Sequence, residues 1–372
     1  MADDNGLRKT FTIPGNERKC PNCGGTLTYD PSTGKLHCSL CQKYETISCG
    51  THDDVKVKGI AYKEILNSNR GTPGDKCKLL SCDNCGAELI YNSVQVSGSC
   101  PFCGSTNIVS VARTGSIMSP NGIIPFSIDK NGAKAAFYKH LKSILFTSDT
   151  EQYALENLVP VYLPYFSFDS DIVSDYLIEI GYRDSDGDIR YKACSGTYKG
   201  SFSDVTVFAS SKIQNGQINR ITGFHPSSVL PFHPDYLAGY YAERCSMTLN
   251  HAYEIARQNI TEKLNAAIPK YALREFKGIK YKNCFFETEY GNTYYKYILA
   301  PFYLASVNYK GKKYDVAING NTGKVASEMI STRQNTGEVD YEITYNSEKI
   351  KYLLIYLGIA AVACLITFLL CK

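Results

Sequence analysis

Eight cysteines near the N-terminus repeat one pattern: Cys20-x2-Cys23 and Cys38-x2-Cys41, then Cys82-x2-Cys85 and Cys100-x2-Cys103, with 14 residues between the pairs of each copy. A Cys-x-x-Cys turn brings two thiolates to one ion. Two such turns joined by a hairpin complete the tetrahedral sulfur shell that Zn2+ prefers. The copies also match beyond cysteine, CPNCGGTLTYD against CDNCGAELIYN. Gly24 and Gly86 follow the second ligand, where the turn favours positive φ. Leu27, Leu89, Tyr29 and Tyr91 are expected to cover the metal from the hairpin.

Other uses of these cysteines fit less well. Disulfides belong to oxidising compartments, and a thioredoxin-like site needs a single pair in a βαβ setting. Four thiolates also suit an iron–sulfur centre, so spacing alone leaves that option open. A closed four-cysteine shell has no vacant coordination position and is structural. Each ribbon, about two dozen residues long, is too small for a self-sufficient core. Its folding free energy is expected to come mostly from the metal.

The chain of 372 residues has room for two or three domains, and 44% hydrophobic against 20% charged residues describes a folded protein. A net charge of +4 implies no strong polyelectrolyte partner. Fifteen cysteines point to a reducing compartment, and the polar opening MADDNGLRKT carries no secretory signal.

At the other end, Tyr352 to Leu370 are 19 consecutive uncharged, mainly apolar positions. At about 1.5 Å per residue such a helix matches the hydrocarbon slab of a bilayer. Lys349 and Lys351 flank one end, with Tyr352 and Tyr356 at interfacial positions. The expectation is a single-pass C-terminal anchor in the cell membrane, with the bulk of the chain cytoplasmic.

The expected organisation is a flexible lead over 1–16, zinc ribbon 1 over 17–46, and a connector over 47–76. Zinc ribbon 2 follows over 77–112, then an α+β domain over 113–345 and the transmembrane anchor over 346–372. Within the α+β domain, apolar spacing predicts a helix over 131–147 capped by Asp129 or Asn131, and another over 256–268. Aromatic and β-branched runs predict strands over 158–183 and 296–329, with turns at Lys310-Gly311 and Asn319-Gly320. Pro164-Tyr165-Phe166 aligns with Pro301-Phe302-Tyr303, each after a helix, so the domain reads as two related halves.

Catalytic motifs are sparse. GNTGKV at 320–325 lacks P-loop spacing and reads as a hairpin turn. Asp169 and Asp171 share a strand face and, with Asp175, offer a hard-cation site, although such faces are more often just solvated. His37 adjoins a ligand cysteine, and His225 and His233 each precede proline. The reading is therefore non-enzymatic, with no catalytic residue assigned. Nucleic-acid binding needs clustered cations. Arg18, Lys19, Lys35 and Lys43 face Glu17, Asp30 and Glu45, while Lys76 and Lys78 face Asp83 and Glu88, so both ribbons are near neutral.

CPNCGG at 20–25, IIPF at 123–126, VYLPYFSFD at 161–169, LPFHPDYLAGYYAER at 230–244, LAPFYL at 299–304 and INGNTGKV at 318–325 carry a resemblance. The chain resembles bacterial double zinc-ribbon membrane proteins described as TFIIB-type zinc-ribbon, primosomal-protein-N′-like or phage-replication-like. It departs from the pattern at Gln42, where glycine is usual. The resemblance implies two structural Zn2+ ions. It also implies partners in membrane-surface assemblies containing phage-shock-type or SPFH proteins. The expected function is an adaptor recruiting cytosolic proteins to the membrane. A nucleic-acid-binding factor of replication or transcription is the runner-up, and an enzyme near Asp169 and His233 is third.

Overall fold

The computed structural model describes residues 18–47, 57–62, 78–91, 99–110, 118, 120–145, 153–210, 212–213, 221, 223–224, 226–309 and 312–327. The lead 1–16, most of the connector, His225, the Lys310-Gly311 turn and the apolar segment 352–370 lie outside the described residues. No helix among the described residues is long and apolar enough to cross a membrane.

Ribbon 1 forms its own three-stranded antiparallel sheet from β1 (Leu27–Asp30), β2 (Lys35–Cys38) and β3 (Tyr44–Glu45). A short strand β4 (Ile60–Ala61) follows it. Ribbon 2 comprises β5 (Lys78–Cys82), β6 (Glu88–Tyr91) and β7 (Ile108–Ser110). Next come β8 (Gly122–Ile123) and helix α1 (Lys130–Leu145). Asp129 is the α1 cap, accepting from the Gly132 N–H at 2.7 Å.

Two strands of unusual length organise the rest: β9 (Leu155–Arg183), 29 residues, and β13 (Lys280–Tyr309), 30 residues. They run antiparallel, with Leu299 opposite Pro164 and Tyr281 opposite Ile180. Between them in sequence lie β10 (Ile189–Phe208), β11 (Leu230–Pro231), β12 (Tyr241–Glu243) and helix α2 (Leu249–Glu275). After β13 the chain turns back through β14 (Lys312–Asn319) and β15 (Val325–Ser327).

The residue pattern of β9 changes along its length, and the surroundings change with it. From Val161 to Phe168 every residue is buried, because neighbours cover both faces of the sheet there. From Ile172 to Ile180 burial alternates: Ile172, Tyr176, Ile178 and Ile180 face inward while Val173 and Leu177 face solvent. Helix α2 supplies the covering layer through a stripe of Ala252, Ala256, Ile260, Leu264, Ile268 and Ala272, spaced by four. The segment 256–268, expected to be helical, is the middle of this helix and ends just before Pro269. In fact the helix continues through that proline and starts earlier, where the Thr248 hydroxyl accepts from the His251 N–H at 3.3 Å.

The segments around Pro164 and Pro301, matched in sequence, lie side by side at the sheet centre, with Pro301 opposite Tyr162. Each long strand follows a helix and is followed by an antiparallel return strand. GNTGKV is the β14–β15 turn: Asn319 Oδ1 accepts from the Asn321 and Thr322 N–H groups at 2.8 and 2.9 Å. Gly320 is required there because a Cβ would lie 2.4 Å from the Phe126 ring.

Candidate metal centres

Four turns of identical backbone build the two clusters. In each, the first cysteine N–H donates to the carbonyl five residues on, and its own carbonyl accepts from the N–H four residues on. Cys20 does so at 2.7 and 2.8 Å, Cys82 at 2.9 and 2.7 Å, and Cys100 at 2.8 and 2.9 Å. The residue closing each turn has positive φ: Gly24 at 73°, Gly86 at 68°, Gly104 at 73° and Gln42 at 62°. Gln42 therefore adopts the glycine conformation. Its amide donates to the Ser39 carbonyl at 2.8 Å, and its Oε1 lies 3.1 Å from His37 Nε2. His37 stacks on Tyr44 and braces this turn; it is not one of the clustered metal-ligand candidates.

The sulfurs of Cys20, Cys23, Cys38 and Cys41 lie within 4.8 Å of one another, as do those of Cys82, Cys85, Cys100 and Cys103. Nearest S···S distances are 3.5 Å in the first set and 3.6 Å in the second. A disulfide needs about 2.05 Å, whereas the edge of a tetrahedron with about 2.3 Å metal–sulfur bonds is about 3.8 Å. The geometry fits a metal ion in each set.

The electrostatics point the same way. The Lys43 backbone N–H draws Cys41 down to about 6, and the Asn84 side chain draws Cys103 down to about 6. Burial pushes Cys100 up to about 12. Although the Gly25 N–H pulls Cys23 down, hydrogen bonding to the Cys41 and Cys38 sulfurs drives it up to about 12. Four adjacent thiolates cannot all be charged without a cation between them, and a divalent ion removes that conflict. One ion held by all four sulfurs would have a closed shell, the arrangement found in structural sites.

One segment, Asp235–Arg244, holds both ribbons. On ribbon 1, Arg18 ion-pairs with Asp235, and the Tyr29 N–H donates to the Ala238 carbonyl at 2.9 Å. The Tyr29 hydroxyl donates to the Phe126 carbonyl at 3.1 Å, and its ring packs edge-on against Tyr236 and Tyr240. On ribbon 2, Ala242 and Glu243 of β12 pair with Ile90 and Leu89 of β6, and β12 continues the sheet to β9. Arg244 ion-pairs with Glu88 and donates its N–H to the Glu88 carbonyl at 2.9 Å. Lys212 Nζ donates to the carbonyl of the ligand Cys85 at 2.6 Å. Tyr29 and Leu89 were expected to cover the metal. Instead Tyr29 packs on the clamp, and Leu89 joins the core of Val161, Leu163 and Phe302.

The string LPFHPDYLAGYYAER carried the resemblance without a role assigned to it. Its Asp235 and Glu243 are the two buried carboxylates among the described residues, which the fold alone reveals.

The remaining candidates are engaged elsewhere. Asp169 pairs with Lys296 at 3.2 Å and accepts from the Asp204 N–H at 2.8 Å, and Asp175 accepts from Thr197 at 2.6 Å. Asp171 is exposed on the same face. His233 Nδ1 accepts from the Asp235 N–H at 3.3 Å. Asp169 and His233 share no hydrogen-bond or ion-pair partner among the described residues.

The chain aligns with an uncharacterised protein of Bacillus subtilis (strain 168), YdjG, at 27% identity over 326 residues, covering 83% of this chain and 89% of the relative. No family model matches the chain, and no solved structure matches it significantly.

Proposed function

We propose that this protein is a non-enzymatic, membrane-tethered adaptor with two structural Zn2+ ions, whose ribbons present a fixed surface to a cytosolic protein. The carrying observation is the single segment 235–244, which holds ribbon 1 through Arg18 and Tyr29 and ribbon 2 through β12. Metal sites built this way stiffen a surface rather than react. The charge placement favours a protein partner over nucleic acid, because Arg18, a cation of ribbon 1, turns inward to Asp235 and Glu45. Ribbon 1 keeps Leu40 and Tyr44 exposed, apolar groups of the kind a protein partner covers. The tether is the apolar run at 352–370, and the resemblance to proteins of membrane-surface assemblies supports the same arrangement.

The test is cross-linking in intact cells followed by recovery of the full chain from detergent-solubilised membranes. A stoichiometric protein partner, lost on Leu40→Asp with Tyr44→Ser, supports the adaptor. Recovery from the soluble fraction, or tight duplex binding with a steep salt dependence, overturns it in favour of the nucleic-acid reading. Metal analysis should return about two zinc per chain; iron would overturn the metal assignment.

A further inference from the structure

We propose that two copies of this chain pair through the free edge of β10, antiparallel about a twofold axis passing Ser195, to form one continuous sheet. From Ile172 to Arg183, β9 lies between the first half of β13 and β10, so the sheet there has two edges, and they differ. The edge formed by the first half of β13 is interrupted twice, by register shifts at Lys282/Phe285 and Tyr290/Thr293, the first beside Asn283 at φ 48°. Such bulges are how sheets block pairing with another chain. The β10 edge lacks this protection. From Ile189 to Phe202 its register with β9 is unbroken, and a shift appears only between Phe202 and Val205. Among the described residues β10 pairs with β9 alone.

An isologous contact requires a strand that complements itself. Tyr191-Lys-Ala-Cys-Ser-Gly-Thr-Tyr-Lys199 does so when centred on Ser195. Tyr191 then meets Lys199, Lys192 meets Tyr198, Ala193 meets Thr197, and Cys194 meets Gly196. Each tyrosine gains a cation, each small residue meets a small one, and no like charges are opposed. Centring on Cys194 gives Tyr198 the cation Arg190 but leaves Tyr191 opposite Thr197, and centring on Gly196 gives neither tyrosine a cation. Tyr191 already binds lysine in this way, with Lys282 Nζ lying 4.2 Å from its ring centroid within the chain. Odd-numbered residues of β10 lie on the face that Leu177 occupies, so the joined sheets would share that solvent face.

The test uses the metal-loaded full chain in detergent, with mass from light scattering. The expected state is a dimer. At the axis, facing Cα atoms lie about 4.5–5.5 Å apart, within disulfide range. Ser195→Cys should therefore cross-link to itself under mild oxidation, whereas Lys199→Cys should not. Ser195→Lys opposes two ammonium groups and should raise the dimer dissociation constant at least about fivefold, with zinc content and fold unchanged. A monomeric chain, a Ser195→Cys variant that stays uncross-linked, a Lys199→Cys variant that cross-links equally well, or a dimer indifferent to Ser195→Lys overturns the proposal.

Discussion

The two ribbons use the same four-cysteine turns but join the rest of the molecule by different means. Ribbon 2 is stitched in by backbone: β6 pairs with β12, β12 with β9, and Leu89 sits in the common core. Ribbon 1 keeps a separate three-stranded sheet and is held through side chains, chiefly Arg18 and Tyr29, plus one backbone bond to Ala238. A ladder extends an existing sheet cooperatively, whereas side-chain docking holds a finished module by its surface. Damage to ribbon 2 should therefore spread into the sheet, and damage to ribbon 1 should stay local.

The largest test of that contrast removes a ligand from each. Cys82→Ser and Cys20→Ser should each lose one metal equivalent, read by elemental analysis, because a structural zinc contributes on the order of 10 kcal/mol to its ribbon. Hydrogen exchange should then open β12 and the adjoining part of β9 only in Cys82→Ser. Equal protection of those strands in both variants would break the comparison.

A smaller effect is expected from the ion pairs. Arg18→Ala leaves the buried Asp235 carboxylate without its cation and should cost about 2 kcal/mol. Arg244→Ala leaves a more exposed Glu88 and should cost about 1 kcal/mol. Denaturant midpoints in the reverse order would show that the side-chain clamp on ribbon 1 is the weaker determinant.

Tyr29→Phe removes only the hydroxyl that reaches the Phe126 carbonyl and should cost about 1 kcal/mol. The loss should appear as faster amide exchange in β1 with no change in β6.

The smallest expected change is with pH. Burial, with the nearby Arg18 cation, holds the His233 imidazole below its ordinary value of 6.5. The folded state therefore favours the neutral ring. Its contribution is present above 6.5 and declines as pH falls through the lowered value. Protonation also removes the acceptor for the Asp235 N–H. Mild acid should loosen ribbon 1 before ribbon 2, which contains no histidine. His233→Asn, whose amide oxygen can accept the same bond, should flatten the difference.

The metal clusters were legible because cysteine spacing is a local code: each turn is closed within six residues by its own backbone. Gln42 shows the limit of that code, since an amide side chain can support a conformation for which glycine is the usual signal. Helix α1 was legible from its cap and apolar spacing. The full extent of α2 was not, because Pro269 reads as a stop and only the covering of β9 and β10 keeps the helix going. Strand β9 was legible nearly whole, over 158–183, whereas β13 was recognised only from Lys296 onward, where apolar residues crowd. The first half of β13, Lys280–Tyr295, sets polar residues among its aromatics, and β10, mostly exposed, carries little apolar signal. The clamp was hidden for a different reason. Asp235 and Arg18 are 217 positions apart, and no periodicity reports a pairing at that separation.

The length of β9 also sets a scale. Ribbon 2 connects to it at Val161 and Tyr162, and the strand continues unbroken to Arg183, on the order of 70 Å along its axis at about 3.3 Å per residue. With β13 laid along it, the strand acts as a gauge: whatever binds the far tip is kept a set span from the cysteine-cluster end.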